Sequence, residues 1–203
     1  MNKFMKYNLE YISGRMSLRS PQKESLKILD NILNNIELSK NINLDETLKK
    51  VNSLYPTCSD FERKFLSLAF VLATGVGKTR LMGTFITYLY TNYNIKNFLV
   101  VAPNKTIYNK LKQDLGNPSN PKYVFKGIDC FVVNPPKIYS GEDYKNKNME
   151  LFPQDIKIYI YNIDNLHCLL DCKKASYIVF YIQKRHTTLL SSLSGMPFYV
   201  YSY

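Results

Sequence analysis

Leu72-Ala73-Thr74-Gly75-Val76-Gly77-Lys78-Thr79 is the stretch on which the reading of this chain turns. Ahead of it, Leu66 to Leu72 concentrates apolar residues over the length of a buried strand. Behind it, Leu81, Phe85 and Leu89 recur at helical spacing between Lys78 and Tyr93. The pattern predicts a strand, a glycine-rich loop and a helix in succession. Gly75 and Gly77 lack Cβ atoms, so the backbone is free to take unusual φ values and turn its N–H groups toward an anion resting on the helix N-terminus. Lys78 would reach the β- and γ-phosphates of a polyphosphate as a point charge, and the Thr79 hydroxyl would complete the shell of a magnesium ion. Thr74, Gly75, Val76, Gly77, Lys78 and Thr79 are therefore the expected nucleoside triphosphate cradle. The plainer alternative is an ordinary glycine-rich turn.

Working outward, the same rhythm continues. Phe98 to Ala102 reads as a strand, Thr106 to Leu115 as a helix, and Ile128 to Val133 and Ile156 to Ile163 as further strands. Strands alternating with helices predict an α/β fold with a parallel sheet covered on both faces. Residues 1–62 read as a helical segment. Ser20 and Pro21 form a helix start, and Leu26, Leu29, Leu33 and Ile36 follow on one stripe. Asn43 with Glu46 has the form of a capping box ahead of Leu44, Leu48, Val51 and Leu54, and Pro56 ends that helix. Asp30 and Glu37 read as solvated charges.

The last zone, 166–203, differs in composition. Every asparagine lies at or before Asn165, whereas Asp171 is the one acid after it and both histidines, His167 and His186, fall there. The expected organisation is thus a helical segment over 1–62, a nucleotide-binding lobe over 63–165 and an uncertain tail over 166–203. A frameshifted or truncated reading of the gene is the favoured explanation of the tail.

Lysine and arginine number 27 against 16 acids, a net charge of +11. That balance attracts polyanions and makes nucleic acid the first partner to consider, although a solubilising surface charge has the same composition. The longest nearly apolar stretch, Phe65 to Ala73, is too short to span a bilayer and includes Ser67. The N-terminus has no secretory pattern. Four scattered cysteines suit reduced thiols in a cytoplasm better than a disulfide framework. His167, Cys168 and Cys172 cluster without a second ligand pair, so a metal centre is not expected.

The run Ala73-Thr-Gly-Val-Gly-Lys-Thr-Arg-Leu-Met-Gly83, followed by Val100-Val-Ala-Pro-Asn-Lys-Thr-Ile-Tyr-Asn-Lys-Leu111, resembles the helicase subunit of type III restriction enzymes, within the superfamily 2 DEAD/DEAH-type helicases. The likeness extends from Leu18 through Tyr144. Leu72 stands where the strict phosphate-loop pattern has its first glycine, and the shorter Ala-Thr-Gly-x-Gly-Lys-Thr form is the one helicase-like ATPases use. The resemblance implies a RecA-like lobe with ATP and Mg as cofactors. It implies that Gln22, in Leu18-Arg-Ser-Pro-Gln22, pairs with adenine, for which its amide has both donor and acceptor. The alternative is a solvent-facing glutamine in a first helical turn. It implies that Pro103, Asn104 and Lys105 touch the backbone of DNA without reading bases. A basic helix start is the alternative there. A modification methyltransferase subunit is implied as a protein partner.

Hydrolysis in this family also needs an acidic box after an apolar strand and arginines from a second lobe. No Asp-Glu-x-His string occurs. The closest is Asp164-Asn-Leu-His167, behind Ile156-Lys-Ile-Tyr-Ile-Tyr161, with Ser194-Gly-Met-Pro197 as a faint echo of a later motif. Either this is a degenerate box, or 158–165 is an earlier strand and the true box lies beyond the chain; the second is favoured. The expected function is the ATP- and DNA-binding N-terminal lobe of a helicase-family restriction protein, cytoplasmic and without efficient hydrolysis on its own. A kinase-like phosphotransferase and a non-functional remnant are the alternatives.

Overall fold

The computed structural model describes residues 6–38, 42–61, 66–140 and 156–162 in full, and strands 178–184 and 196–202 as backbone. In chain order the elements are α1 (Leu9–Arg15), α2 (Ser20–Asn35), α3 (Leu44–Leu54), β1 (Leu68–Leu72), α4 (Lys78–Tyr93) and β2 (Asn97–Ala102), then α5 (Lys105–Gly116), α6 (Asp129–Val133), β3 (Lys137–Ser140), β4 (Lys157–Asn162), β5 (Ile178–Lys184) and β6 (Met196–Ser202). The strands form one sheet in the order β1-β6-β5-β2-β4-β3. Every pairing is parallel. This is the expected α/β arrangement, RecA-like, with a parallel sheet and flanking helices.

Parallel pairing has one consequence that matters for function. All six strands end at the same edge of the sheet, so the loops that follow them gather there. From β1 the chain crosses to β2 and builds outward to β3 and β4, then returns to fill the gap with β5 and β6. Ligands of open parallel sheets settle at such a reversal, beyond the carboxyl ends of the strands. Two of the central strands come from the zone after residue 166, where Ile178-Val-Phe-Tyr-Ile and Phe198-Tyr-Val-Tyr supply β-branched and aromatic residues suited to a sheet.

The core lies on both sides of α4. Leu81, Met82, Phe85, Ile86 and Leu89 are buried, and so are Thr84, Thr87 and Thr91 on the other flank. The threonine hydroxyls are satisfied inside the helix by bonding back to the carbonyls of Arg80, Gly83 and Thr87. α4 therefore accepts cover all round: Phe85 meets Phe70 of β1 edge to face at 4.8 Å, while α1, α2 and α5 also pack against the helix. Close approach demands a small residue at Gly83, where a Cβ would lie 2.0 Å from Val124 Cγ1.

Several expectations need correction. Ile128 to Val133, read as a strand, is the short helix α6 with Ile128 as its N-cap. Ile128 and Phe131 are buried while Val132 and Val133 are exposed, a spacing that suits a helical turn and not a strand inside a sheet. Helix α2 is capped by Arg19, one residue before the expected Ser20, because the Gln22 side chain accepts from the Arg19 N–H at 2.8 Å. Asp30 is not simply a solvated charge: it accepts from the Tyr88 hydroxyl and from Asn34 Nδ2, tying α2 to α4. Burial, with the bond to Asp30 adding to it, pushes the Tyr88 phenol far above the ordinary tyrosine range. At Asn43 the expected cap is present, its side chain accepting from the Glu46 N–H at 3.3 Å. Helix α1 falls within the segment read as helical, though no capped stripe marked it, and strand β3 had no counterpart in the sequence pattern.

Candidate nucleotide-binding site

Strand β1 delivers the chain to the sheet edge at Leu72, and α4 begins at Lys78, so Ala73 to Gly77 must turn the backbone within five residues. Gly75 at φ +79° and Gly77 at φ +93° make the turn in the left-handed region that favours glycine. Thr74, Gly75 and Gly77 are exposed, and Val76, Lys78 and Thr79 half-buried. Gly77 is the N-cap of α4 and offers no side chain to the first-turn amides. Among the described residues the amides from residue 74 to residue 79 make no close hydrogen bond, and Thr74 and Gly75 form a turn. A row of such N–H groups at the start of a sixteen-residue helix is an anion site by backbone geometry and by helix dipole together.

Lys78 Nζ donates to the Ala73 carbonyl at 3.0 Å, which folds the side chain back over the loop. Burial lowers its pKa from the ordinary lysine value. Partial desolvation of an ammonium also strengthens its attraction for phosphate. Arg80, two residues on, donates to the Met16 carbonyl at 2.5 Å and so fastens the start of α4 to the end of α1.

The first turn of α2 lies against the loop. Gln22 is buried, and its Nε2 donates to the carbonyls of Val76 and Gly77, both at 2.9 Å. Arg19 Nη1 donates to the Gly75 carbonyl at 3.1 Å. The solvent-facing reading of Gln22 does not hold. Arg19 was missed as a site residue, since its approach spans 56 positions along the chain. The one sequence signal it carried was its place in the Leu18 to Gln22 run.

At the end of β2, Asn104 caps α5 by accepting from the Ile107 N–H at 2.9 Å, and Lys105 is the first helical residue, exposed. Pro103, Asn104 and Lys105 lie on the same sheet edge as the glycine-rich loop. Strands β6 and β5 lie between, so the two loops are three strand spacings apart, about 14 Å. The structure thus sets two loops side by side without merging them.

Over residues 15–189 the chain matches the family described as Type III restriction enzyme, res subunit. The chain belongs to that family. No curated protein matches it. The res-subunit match covers the glycine-rich loop, both neighbouring helices and five of the six strands, and makes the chain a helicase-family domain.

In this res-subunit chain β4, the strand before Asp164-Asn-Leu-His167, is on the far side of β2 from the phosphate-loop strand β1, whereas β5 lies between them, next but one to β1. Asp164 to His167 lie outside the described residues. Along one row of the sheet Leu72 pairs with Ser202 and Ser202 with Lys184, so β5 ends level with the loop in Gln183-Lys184. Neither residue is a carboxylate. Among the described residues no helix is long and apolar enough to cross a membrane.

Proposed function

We propose that this chain binds ATP through the loop from Thr74 to Thr79 and contacts the DNA backbone through Pro103, Asn104 and Lys105, with slow hydrolysis as an isolated polypeptide. The observation that carries the reading is the pair of left-handed glycines, Gly75 and Gly77, directly ahead of α4, in a stretch whose amides make no close hydrogen bond. Triphosphate oxygens would accept from those amides. Lys78 would exchange its bond to the Ala73 carbonyl for the β- and γ-oxygens. The Thr79 hydroxyl fits a hard, oxygen-seeking cation, and magnesium when bound would neutralise charge on the outer phosphates.

Hydrolysis is a different matter. A carboxylate at the end of a neighbouring strand would be needed to hold the metal through water, with another to orient an attacking water. No Asp-Glu-x-His string occurs in the chain, and neither Gln183 nor Lys184, where β5 ends level with the loop, is a carboxylate. We therefore assign binding without efficient turnover. The helical segment before residue 63 serves as a brace for the loop, and the lobe begins with β1; its sheet takes in strands from beyond residue 166. DNA is the natural polyanion for a chain of net charge +11, and by family a methyltransferase subunit is the protein partner.

Titration of a fluorescent ATP analogue into the wild type and Lys78→Ala, each with and without duplex DNA, tests this reading. Magnesium-assisted binding that is lost in Lys78→Ala, and salt-sensitive DNA binding that survives it, are the expected results. Rapid phosphoryl transfer to a small acceptor would point to a kinase-like enzyme instead.

A further inference from the structure

The three carbonyls of the loop that face α2 are all occupied. Gly75 O accepts from Arg19 Nη1, and Val76 O and Gly77 O accept from the two Nε2 hydrogens of Gln22. The Gln22 Oε1 accepts from the Arg19 N–H. Across a trans peptide the N–H of the next residue points opposite to the C=O, and no cis bond is present. Holding the carbonyls of residues 75, 76 and 77 toward α2 therefore directs the amides of Val76, Gly77 and Lys78 to the other side, where the anion would sit. The fit is close: a Cβ on Gly77 would stand 2.8 Å from Gln22 Nε2.

We infer that Gln22 is a positioning residue that presets the phosphate loop, and that this site selects its ligand by the triphosphate and not by the base. A base-reading glutamine needs a free donor and a free acceptor side by side. Gln22 is 1% exposed, with both amide hydrogens committed to the loop and its oxygen to Arg19. Turning it toward adenine would release two carbonyls and loosen the amides that hold the phosphates. The inference rests on the triphosphate cradle proposed above and deepens it. Its ligand class is a polyphosphate, whether or not a purine is attached.

The full chain is titrated with ATP, GTP and inorganic tripolyphosphate by calorimetry, in the wild type and in Gln22→Ala, with thermal melting as a check on folding. The wild type is expected to bind ATP and GTP within about threefold of each other, because one base-specific hydrogen bond would already separate them by roughly tenfold. Gln22→Ala is expected to weaken all three ligands by a similar factor, roughly tenfold. Tripolyphosphate binding that Gln22→Ala leaves untouched, or a wild-type preference for ATP above tenfold, would overturn the inference and restore Gln22 as the adenine reader, leaving the cradle standing. Should none of the three bind the wild type, the cradle itself is wrong and the inference goes with it. If Gln22→Ala does not fold, the wild-type comparison of ATP with GTP decides alone.

Discussion

Replacing Gly77 by alanine separates two effects that the structure allows to be estimated one at a time. Gly77 sits at φ +93°, where an L-residue pays roughly 1–2 kcal/mol. Its new Cβ would also stand 2.8 Å from Gln22 Nε2. Displacing that amide forfeits its two bonds to Val76 O and Gly77 O, each worth about 1 kcal/mol net. The loop would have to recover both costs on binding, roughly 3 kcal/mol or about a hundredfold in affinity. Gly75 supplies the control. It has a similar φ of +79° but nothing within 4 Å of a built Cβ, so Gly75→Ala carries the conformational cost alone, about tenfold. Calorimetric titration of both variants with ATP and magnesium measures the difference, and thermal melting confirms that both are folded. Equal affinities in the two variants, or wild-type affinity in Gly77→Ala, would refute the account of how α2 holds the loop.

Three further outcomes follow from the packing and the charges. Gly83→Ala forces a Cβ to 2.0 Å from Val124 Cγ1, so it should lose about 1–3 kcal/mol of stability by denaturant unfolding. Tyr88→Phe removes the hydroxyl that bonds Asp30 across α4 and α2, and should cost about 1–2 kcal/mol in the same measurement. Lys78 has its pKa lowered by burial, so its ammonium pays a desolvation cost in the folded state that is present at neutral pH and relieved as pH rises through the lowered value. Lys78→Ala removes that cost and should therefore melt no lower than the wild type at neutral pH while losing phosphate affinity. The wild-type affinity should begin to fall with rising pH below 10.5, the ordinary lysine value.

The parts of the molecule legible in the sequence were those written locally. Helix α4 runs over the expected Lys78 to Tyr93 because its apolar residues keep one period from end to end, and β2 and α5 fall within a residue or so of expectation. The turn at Gly75 and Gly77 was legible for the same reason, since only glycine takes such φ values freely. Ile128 to Val133 misled because five or six apolar residues carry no decisive period; Phe131 decides the matter by stacking on Tyr90 at 5.5 Å and meeting Phe125 edge to face at 4.8 Å. Contacts between distant segments were not legible at all. The grip of Gln22 on residues 54 and 55 positions away depends on how α2 packs, and the place of β5 beside β2 depends on the order in which the sheet closes. Propensity and motif spacing say nothing of either.

The most direct test of the cradle is a backbone amide NMR titration of the isotope-labelled chain with ATP and magnesium, followed residue by residue. The amides of Gly75, Val76, Gly77, Lys78 and Thr79 should shift together and saturate with a single dissociation constant, and Lys78→Ala should abolish the common response. Amides at these five positions that stay unmoved while ATP binds elsewhere, or that respond identically in Lys78→Ala, would contradict the account.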